Sequence, residues 1–112
     1  MSFNEVSELK GIEIICISGI NEHCLAVSKD GKVFCRGYNN FGQLGLGKDI
    51  QKLTEFKEIQ SLSKYKIVAA YAGSCHSLFQ TEDGRILACG YNRAGELLMA
   101  PCDYNIYEPI LT

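Results

Sequence analysis

The chain has 112 residues, with 11 Lys+Arg against 13 Asp+Glu and a net charge of −2; this is the size of one small domain and excludes a chain-wide basic surface for nucleic acid. Apolar residues at 46% and charged residues at 21% belong to a folded domain rather than an acidic disordered tail. No apolar stretch is long enough to cross a membrane as a helix, and no basic start followed by an apolar run occurs at Met1–Lys10, so no secretory leader is expected.

The predicted elements, in chain order, are short strands punctuated by turn residues. Phe3–Val6 has strand character. Isoleucine-rich Ile12–Ser18 reads as a buried strand and His23–Ser28 as a second. Asp30-Gly31 then supplies the positive backbone angles of a tight hairpin turn, and Val33–Arg36 returns. Residues 37–47, GYNNFGQLGLG, are too irregular for a strand and too glycine-rich for a helix, and predict an ordered loop. Leu53–Ile59 follows as a strand, although the spacing over Thr54–Leu62 also allows a short helical turn. The pattern then starts again: strands at Lys66–Ala72 and His76–Thr81, a turn at Asp83-Gly84, a strand at Ile86–Cys89 and a loop over residues 90–100, GYNRAGELLMA.

The second half is a copy of the first. A shift of 53 residues aligns them without a gap, and thirteen of 44 aligned positions are identical, where two or three is about the chance level for ordinary composition. The identities are the residues that fix turns and cores: Phe3 on Phe56, Leu9 on Leu62, His23 on His76, Asp30-Gly31 on Asp83-Gly84, Gly37-Tyr38-Asn39 on Gly90-Tyr91-Asn92, and Gly42 on Gly95. Tyr107–Leu111 resembles the openings at Phe3 and Phe56, so a third copy begins there. The expected division is a first repeat at 1–52, a second at 53–105 and the start of a third at 106–112. A four-stranded antiparallel unit of about 50 residues, repeated, predicts an all-β fold: two blades of an incomplete β-propeller plus the start of a third. Each blade buries its faces against its neighbours.

The string Ala72-Gly73, His76, Asp83-Gly84, Gly90, Asn92 and Gly95, and the fuller HCLAVSKDGKVFCRGYNNFGQLGLG at residues 23–47, resemble the repeat of the regulator of chromosome condensation family over about Phe3–Met99. Two departures stand out. Gly19 lies four residues before His23 whereas Gly73 lies three before His76, and the second unit has Glu96-Leu97-Leu98 where the first has Gln43-Leu44-Gly45. The resemblance implies a propeller usually of seven blades. Two blades do not close such a ring, so the chain is expected to be a fragment, a truncated product or a protomer that completes its ring with others.

Six cysteines, at positions 16, 24, 35, 75, 89 and 102, admit a disulfide framework, a zinc site or buried apolar filler. No pair is spaced CxxC and most have apolar neighbours, which favours reduced, mostly buried thiols. His23 beside Cys24, and Cys75 beside His76, point to opposite faces if they lie in strands, against a Cys–His catalytic pair. Gly42 to Lys48 matches G-x-x-x-x-G-K, but Asp49 stands where a phosphate loop needs Ser or Thr, and no cofactor or metal is expected.

Recurrence separates architecture from function. His23 and His76 predict a repeated structural hydrogen bond tying a strand to a loop. Gly31, Gly37, Asn39 and Gly42, with Gly84, Gly90, Asn92 and Gly95, are likewise repeat positions. Loop residues that differ between the copies are the binding candidates: Arg36, Asn40, Phe41, Gln43 and Arg93. The function expected is a protein-interaction module, intracellular (cytoplasmic or nuclear), with no chemistry of its own. The resemblance implies partners such as a small GTPase or a ubiquitin-pathway component, and it permits an alternative, guanine-nucleotide exchange on a Ran-type GTPase. Exposed blade flanks would also allow self-association.

Overall fold

A computed structural model describes residues 11–19, 23–92 and 105–112. The expected strand at Phe3–Val6, and the positions Arg93, Gly95 and Cys102, lie outside the described residues.

The first hairpin shows how local chemistry sets the fold. Strand β1 (Ile14–Ser18) pairs with β2 (His23–Ser28), and β2 pairs with β3 (Val33–Tyr38). Between β2 and β3 the Gly31 N–H donates to the Ser28 carbonyl and the Ser28 N–H to the Lys32 carbonyl. Gly31 takes a φ of 91°, which a side chain disfavours. The Ser28 hydroxyl donates to Asp30 Oδ1 at 2.6 Å and accepts from the Lys32 N–H at 3.0 Å, so a side chain closes the turn. Strand β4 (Lys52–Glu58) completes the sheet in the order β1-β2-β3-β4.

The second copy repeats this. Strands β5 (Ile67–Ala72), β6 (His76–Thr81), β7 (Ile86–Gly90) and β8 (Ile106–Leu111) form an antiparallel sheet in the order β5-β6-β7-β8. Thr81 and Asp83 replace Ser28 and Asp30: Thr81 Oγ1 donates to Asp83 Oδ1 and accepts from the Arg85 N–H at 2.9 Å. The all-β expectation holds.

The strands also show where the sequence repeat and the sheets differ. The strand opening the second repeat, β4, hydrogen-bonds to β3 and belongs to the first sheet. By the same rule β8, which opens a third copy in sequence, is the outer strand of the second sheet. The sheet boundary therefore falls one strand later than the boundary at 52/53. The helical turn allowed within Thr54–Leu62 is a single 3-10 turn at Gln60–Leu62, after β4. Residues Gly37-Tyr38 and Gly90, assigned above to loops, are strand ends. Bulges between Cys35 and Gly37 and between Ala88 and Gly90 carry the strands on, and the glycines accommodate them at φ 118° and 112°.

The main core lies between the sheets. Leu25, Val27, Val33 and Cys35 of the first meet Ile67, Phe79, Leu87 and Cys89 of the second, with Leu44, Ile59 and Leu62 closing the ends. Burying each large side chain contributes about 1.5–3 kcal/mol. A smaller cluster of Ala26, Phe34 and Phe56 lies on the outer flank of the first sheet, joined by Ile12, Ile14 and Cys24.

Candidate functional site

The loop between β3 and β4 is built around one amide. The Asn39 side chain donates to the Gly47 carbonyl at 2.9 Å and to the Ile50 carbonyl at 2.6 Å, and accepts from the Leu44 N–H at 2.8 Å. Three backbone groups far apart in the loop thus converge on a buried side chain, which fixes the loop without regular structure. Gln43 is 1% exposed and its side-chain oxygen accepts from the Phe41 N–H at 2.9 Å. It was expected to offer its side chain to a partner; instead it is an internal brace.

The loop also welds the sheets. Ser77 of β6 donates to the Gln43 carbonyl at 2.5 Å, and the Gly47 N–H donates to the Tyr107 carbonyl at 3.0 Å. Gly42, at φ 86°, lies so close that a Cβ would run into the Ile106 carbonyl oxygen. The tip carries the join outward: Phe41 stacks edge-on to Tyr91 at 5.6 Å, and the Tyr107 hydroxyl donates to the Asn40 carbonyl at 3.2 Å.

His23 stands beneath the loop, with Nε2 2.9 Å from Ser77 Oγ. A serine and a histidine in contact invite a catalytic reading, and the proton accounting decides against it. Ser77 has one hydroxyl hydrogen and gives it to Gln43, so it accepts from the His23 Nε2–H. The imidazole therefore polarises nothing, and Ser77 is fully buried. Burial lowers the His23 pKa to about 4, opposed by a backbone hydrogen bond to His76, so the ring is neutral at ordinary pH. The strand-to-loop tie expected of His23 runs through Ser77 on the neighbouring sheet. Sequence reasoning missed Ser77, because its aligned twin is Cys24 and the position carries no identity.

The other sequence candidates separate. Asn40 and Phe41 lie together at the tip. Arg36 points to the outer flank of the first sheet, its guanidinium 4.7 Å from the Phe56 ring centre. Lys48 and Asp49 are exposed on a loop that runs into β4; the Gly42–Lys48 amides are not gathered at a helix start. The cysteines among the described residues are free thiols. Burial pushes Cys35 up to about 12 and raises Cys89 as well. Cys24 is also raised by burial, with Arg36 opposing.

The arrangement leaves one end of the two sheets lined by Tyr38, Asn40, Phe41, Tyr91 and Tyr107, with the Lys52 ammonium 5.0 Å from the Tyr38 ring centre. Tyr38 is exposed and Phe41, Tyr91 and Tyr107 are partly so, and aromatic rings with polar handles on a fixed loop are suited to contact.

Two models of the "regulator of chromosome condensation (RCC1) repeat" match residues 30–80 and 67–96. The chain belongs to the RCC1 repeat family. Its RCC1 relatives include the mouse probable E3 ubiquitin-protein ligase HERC4, 40% identical over 82% of this chain, and the Arabidopsis thaliana ultraviolet-B receptor UVR8, 39% identical over 82%. The chain spans 9% of the first and 21% of the second. Among solved structures, Prp20p of Saccharomyces cerevisiae superposes with a TM-score of 0.81 over 90% of this chain and 26% of that one, at 18% identity. That likeness fixes the fold: each four-stranded sheet is an RCC1 propeller blade. Prp20p was studied for its binding to Gsp1p and histones.

Proposed function

We propose that these two RCC1 blades act as a protein-interaction module whose contact surface is the aromatic rim around Phe41. The observation that carries the reading is the stapling of the β3–β4 loop. Asn39 gathers it from inside, and Ser77 with Tyr107 holds it to the second blade. Its tip is ordered before any partner arrives, so little conformational entropy is lost on binding. Tyrosine and other aromatics are the residues enriched in interface hot spots.

The spread of relatives supports the same reading. A probable ubiquitin ligase and a light receptor share this stretch at nearly equal identity, and what two such different proteins share is scaffold more readily than chemistry. The ligase likeness favours a partner in the ubiquitin pathway. The likeness to Prp20p speaks for the fold and lends no weight to nucleotide exchange.

The test is quantitative partner capture by the intact chain, by proximity labelling and mass spectrometry. Phe41→Ala and Lys52→Glu should each lower recovery of the same partner set by about tenfold, the loss of one hot-spot contact. Lys29→Ala at the opposite end should not. Equal recovery by all four proteins, with unchanged circular dichroism, would refute the rim as the contact surface.

A further inference from the structure

The hairpin ends of the two blades carry the same recess with different chemistry. The Lys29 N–H donates to the Glu13 carbonyl at 2.8 Å in the first blade, and the Glu82 N–H to the Lys66 carbonyl at 2.9 Å in the second. These twin bonds tie the residue before the first strand of each sheet to the hairpin that follows it, and a hollow opens beside each. The first is lined by Gly11, Ile12, Glu13, Lys29 and Asp30. A shift of 53 residues carries all five onto the lining of the second, Lys64, Tyr65, Lys66, Glu82 and Asp83, to which Arg85 is added. The hollow is therefore architecture, and its substitutions are what set the second copy apart.

Those substitutions reverse the sign of the charge. The first recess has one cation, Lys29, against the carboxylates of Glu13 and Asp30. The second has Lys64, Lys66 and Arg85 against Glu82 and Asp83. Both of these carboxylates are already matched. Glu82 Oε2 lies 3.0 Å from Lys66 Nζ, and Asp83 Oδ2 lies 3.1 Å from Arg85 Nε while Oδ1 accepts from the Thr81 hydroxyl. Lys64 is exposed and has no ion-pair partner among the described residues. Arg85 meets Asp83 through Nε, and the terminal amino groups of a guanidinium form the fork that grips an oxyanion.

Tyr65, where the first recess has Ile12, gathers the cations. The Lys64 ammonium lies 5.6 Å and the Arg85 guanidinium 5.3 Å from its ring centre. An aromatic face attracts a cation without neutralising it, so the ring positions two positive groups and leaves their charge to be met by something else. The first blade steadies the site. The Ile67 N–H donates to the Gly31 carbonyl at 3.2 Å, and a Cβ on Gly31 would meet Lys66 Cγ at 2.7 Å. The hollow measures about 220 Å³, below the usual range for drug-sized ligands and suited to a small group.

We infer that the second recess binds a phosphate group, held between Lys64 and Arg85 beside the Tyr65 ring. It lies at the hairpin end of the blades, away from the Phe41 rim, and neither reading depends on the other.

Amide chemical shifts of the intact, isotopically labelled chain test it, with inorganic phosphate titrated at constant ionic strength. Saturable shifts are expected at residues 64–66 and 82–85 and not at their twins, 11–13 and 29–32. Lys64→Gln and Arg85→Gln change exposed residues, so each variant should keep its β-sheet circular dichroism. Each should weaken the apparent affinity about tenfold, the loss of one charge-assisted hydrogen bond. A phosphoserine peptide, run beside its unphosphorylated form, separates the sources. Tighter binding than inorganic phosphate, with none by the unphosphorylated peptide, supports a group carried on a protein; equal binding supports a free anion at the same site. Shifts that do not saturate, or that are equal in the two recesses, overturn the proposal, because they show general attraction to surface charge. Wild-type affinity in both variants overturns it as well.

Discussion

His23 and His76 are the same residue in the same repeat, yet they live differently. His23 is 3% exposed, clamped to Ser77 on the next blade. His76 occupies the twin position on the outer side of the second blade, only partly buried, with its ring 5.9 Å from the ring of exposed Tyr71. Gly31 and Gly84 repeat the lesson. Their φ values are 91° and 90°, but a Cβ on Gly31 would meet Lys66 at 2.7 Å, whereas one on Gly84 would meet nothing within 4 Å. What a repeat residue contributes is set by whether a neighbouring blade covers it. The repeat supplies the conformation; the neighbour supplies the energy.

The largest break in this comparison comes from the core. Phe79 is fully buried between the blades, and Phe79→Ala should destabilise the chain by about 3–5 kcal/mol in urea unfolding. The twin position already holds alanine, Ala26, on the outer flank, so the repeat itself does not demand a large side chain there.

A second break uses pH. The His23 pKa falls from an ordinary 6.5 to about 4 in the folded chain. Folding therefore favours the neutral ring, and the stability this contributes is present in full above pH 6.5. It is lost as the pH drops from 6.5 towards 4, to a depth of roughly 2–3 kcal/mol. His23→Gln should flatten that part of the stability profile. His76→Gln should leave it in place. Identical profiles for wild type and His23→Gln would show that His23 is not the group responsible.

The glycine twins sharpen the comparison further. Gly84→Ala should cost about 1–2 kcal/mol, the strain of a side chain at positive φ. Gly31→Ala should cost more, because Lys66 and the start of β5 must also move. Equal losses in thermal melts would mean that the first hairpin does not bear on the second blade.

Much of this was legible in the residues, and the gaps have physical causes. The strands, the hairpin turns and the duplication follow from alternation, from Asp30-Gly31 with Asp83-Gly84, and from the 53-residue shift. The sheet boundary was not legible, because a repeat has no marked first strand: only hydrogen bonding shows that β4 closes the first sheet. Gln43 differed from Glu96 and lay in a polar loop, so it had the signature of a surface residue. Its side chain instead folds back onto the Phe41 N–H, and its carbonyl meets Ser77, far away in sequence. Asn39 was recognised through recurrence, but its three loop partners depend on how residues 39–50 wrap. Contacts between blades are the part of a repeat protein that local pattern encodes least.

The smallest effect is the one in which the twins should agree. Ser28 and Thr81 each close their own hairpin, accepting from the N–H four residues on at 3.0 and 2.9 Å, and each donates to the turn aspartate. These bonds lie within the turn and reach no neighbouring blade. Ser28→Ala and Thr81→Ala should therefore each cost about 0.5–1.5 kcal/mol, the net worth of such a bond, and the two losses should match. The hydroxyl hydrogen bond also holds both Asp30 and Asp83 below the usual carboxylate range. Each contributes stability that is present above the ordinary aspartate pKa and fades as the pH falls through its own lower value, and each alanine variant should weaken that acid limb. If Ser28→Ala proves much the costlier, the covering blade stiffens even the turn, and the separation between local conformation and neighbour-supplied energy fails at its simplest point.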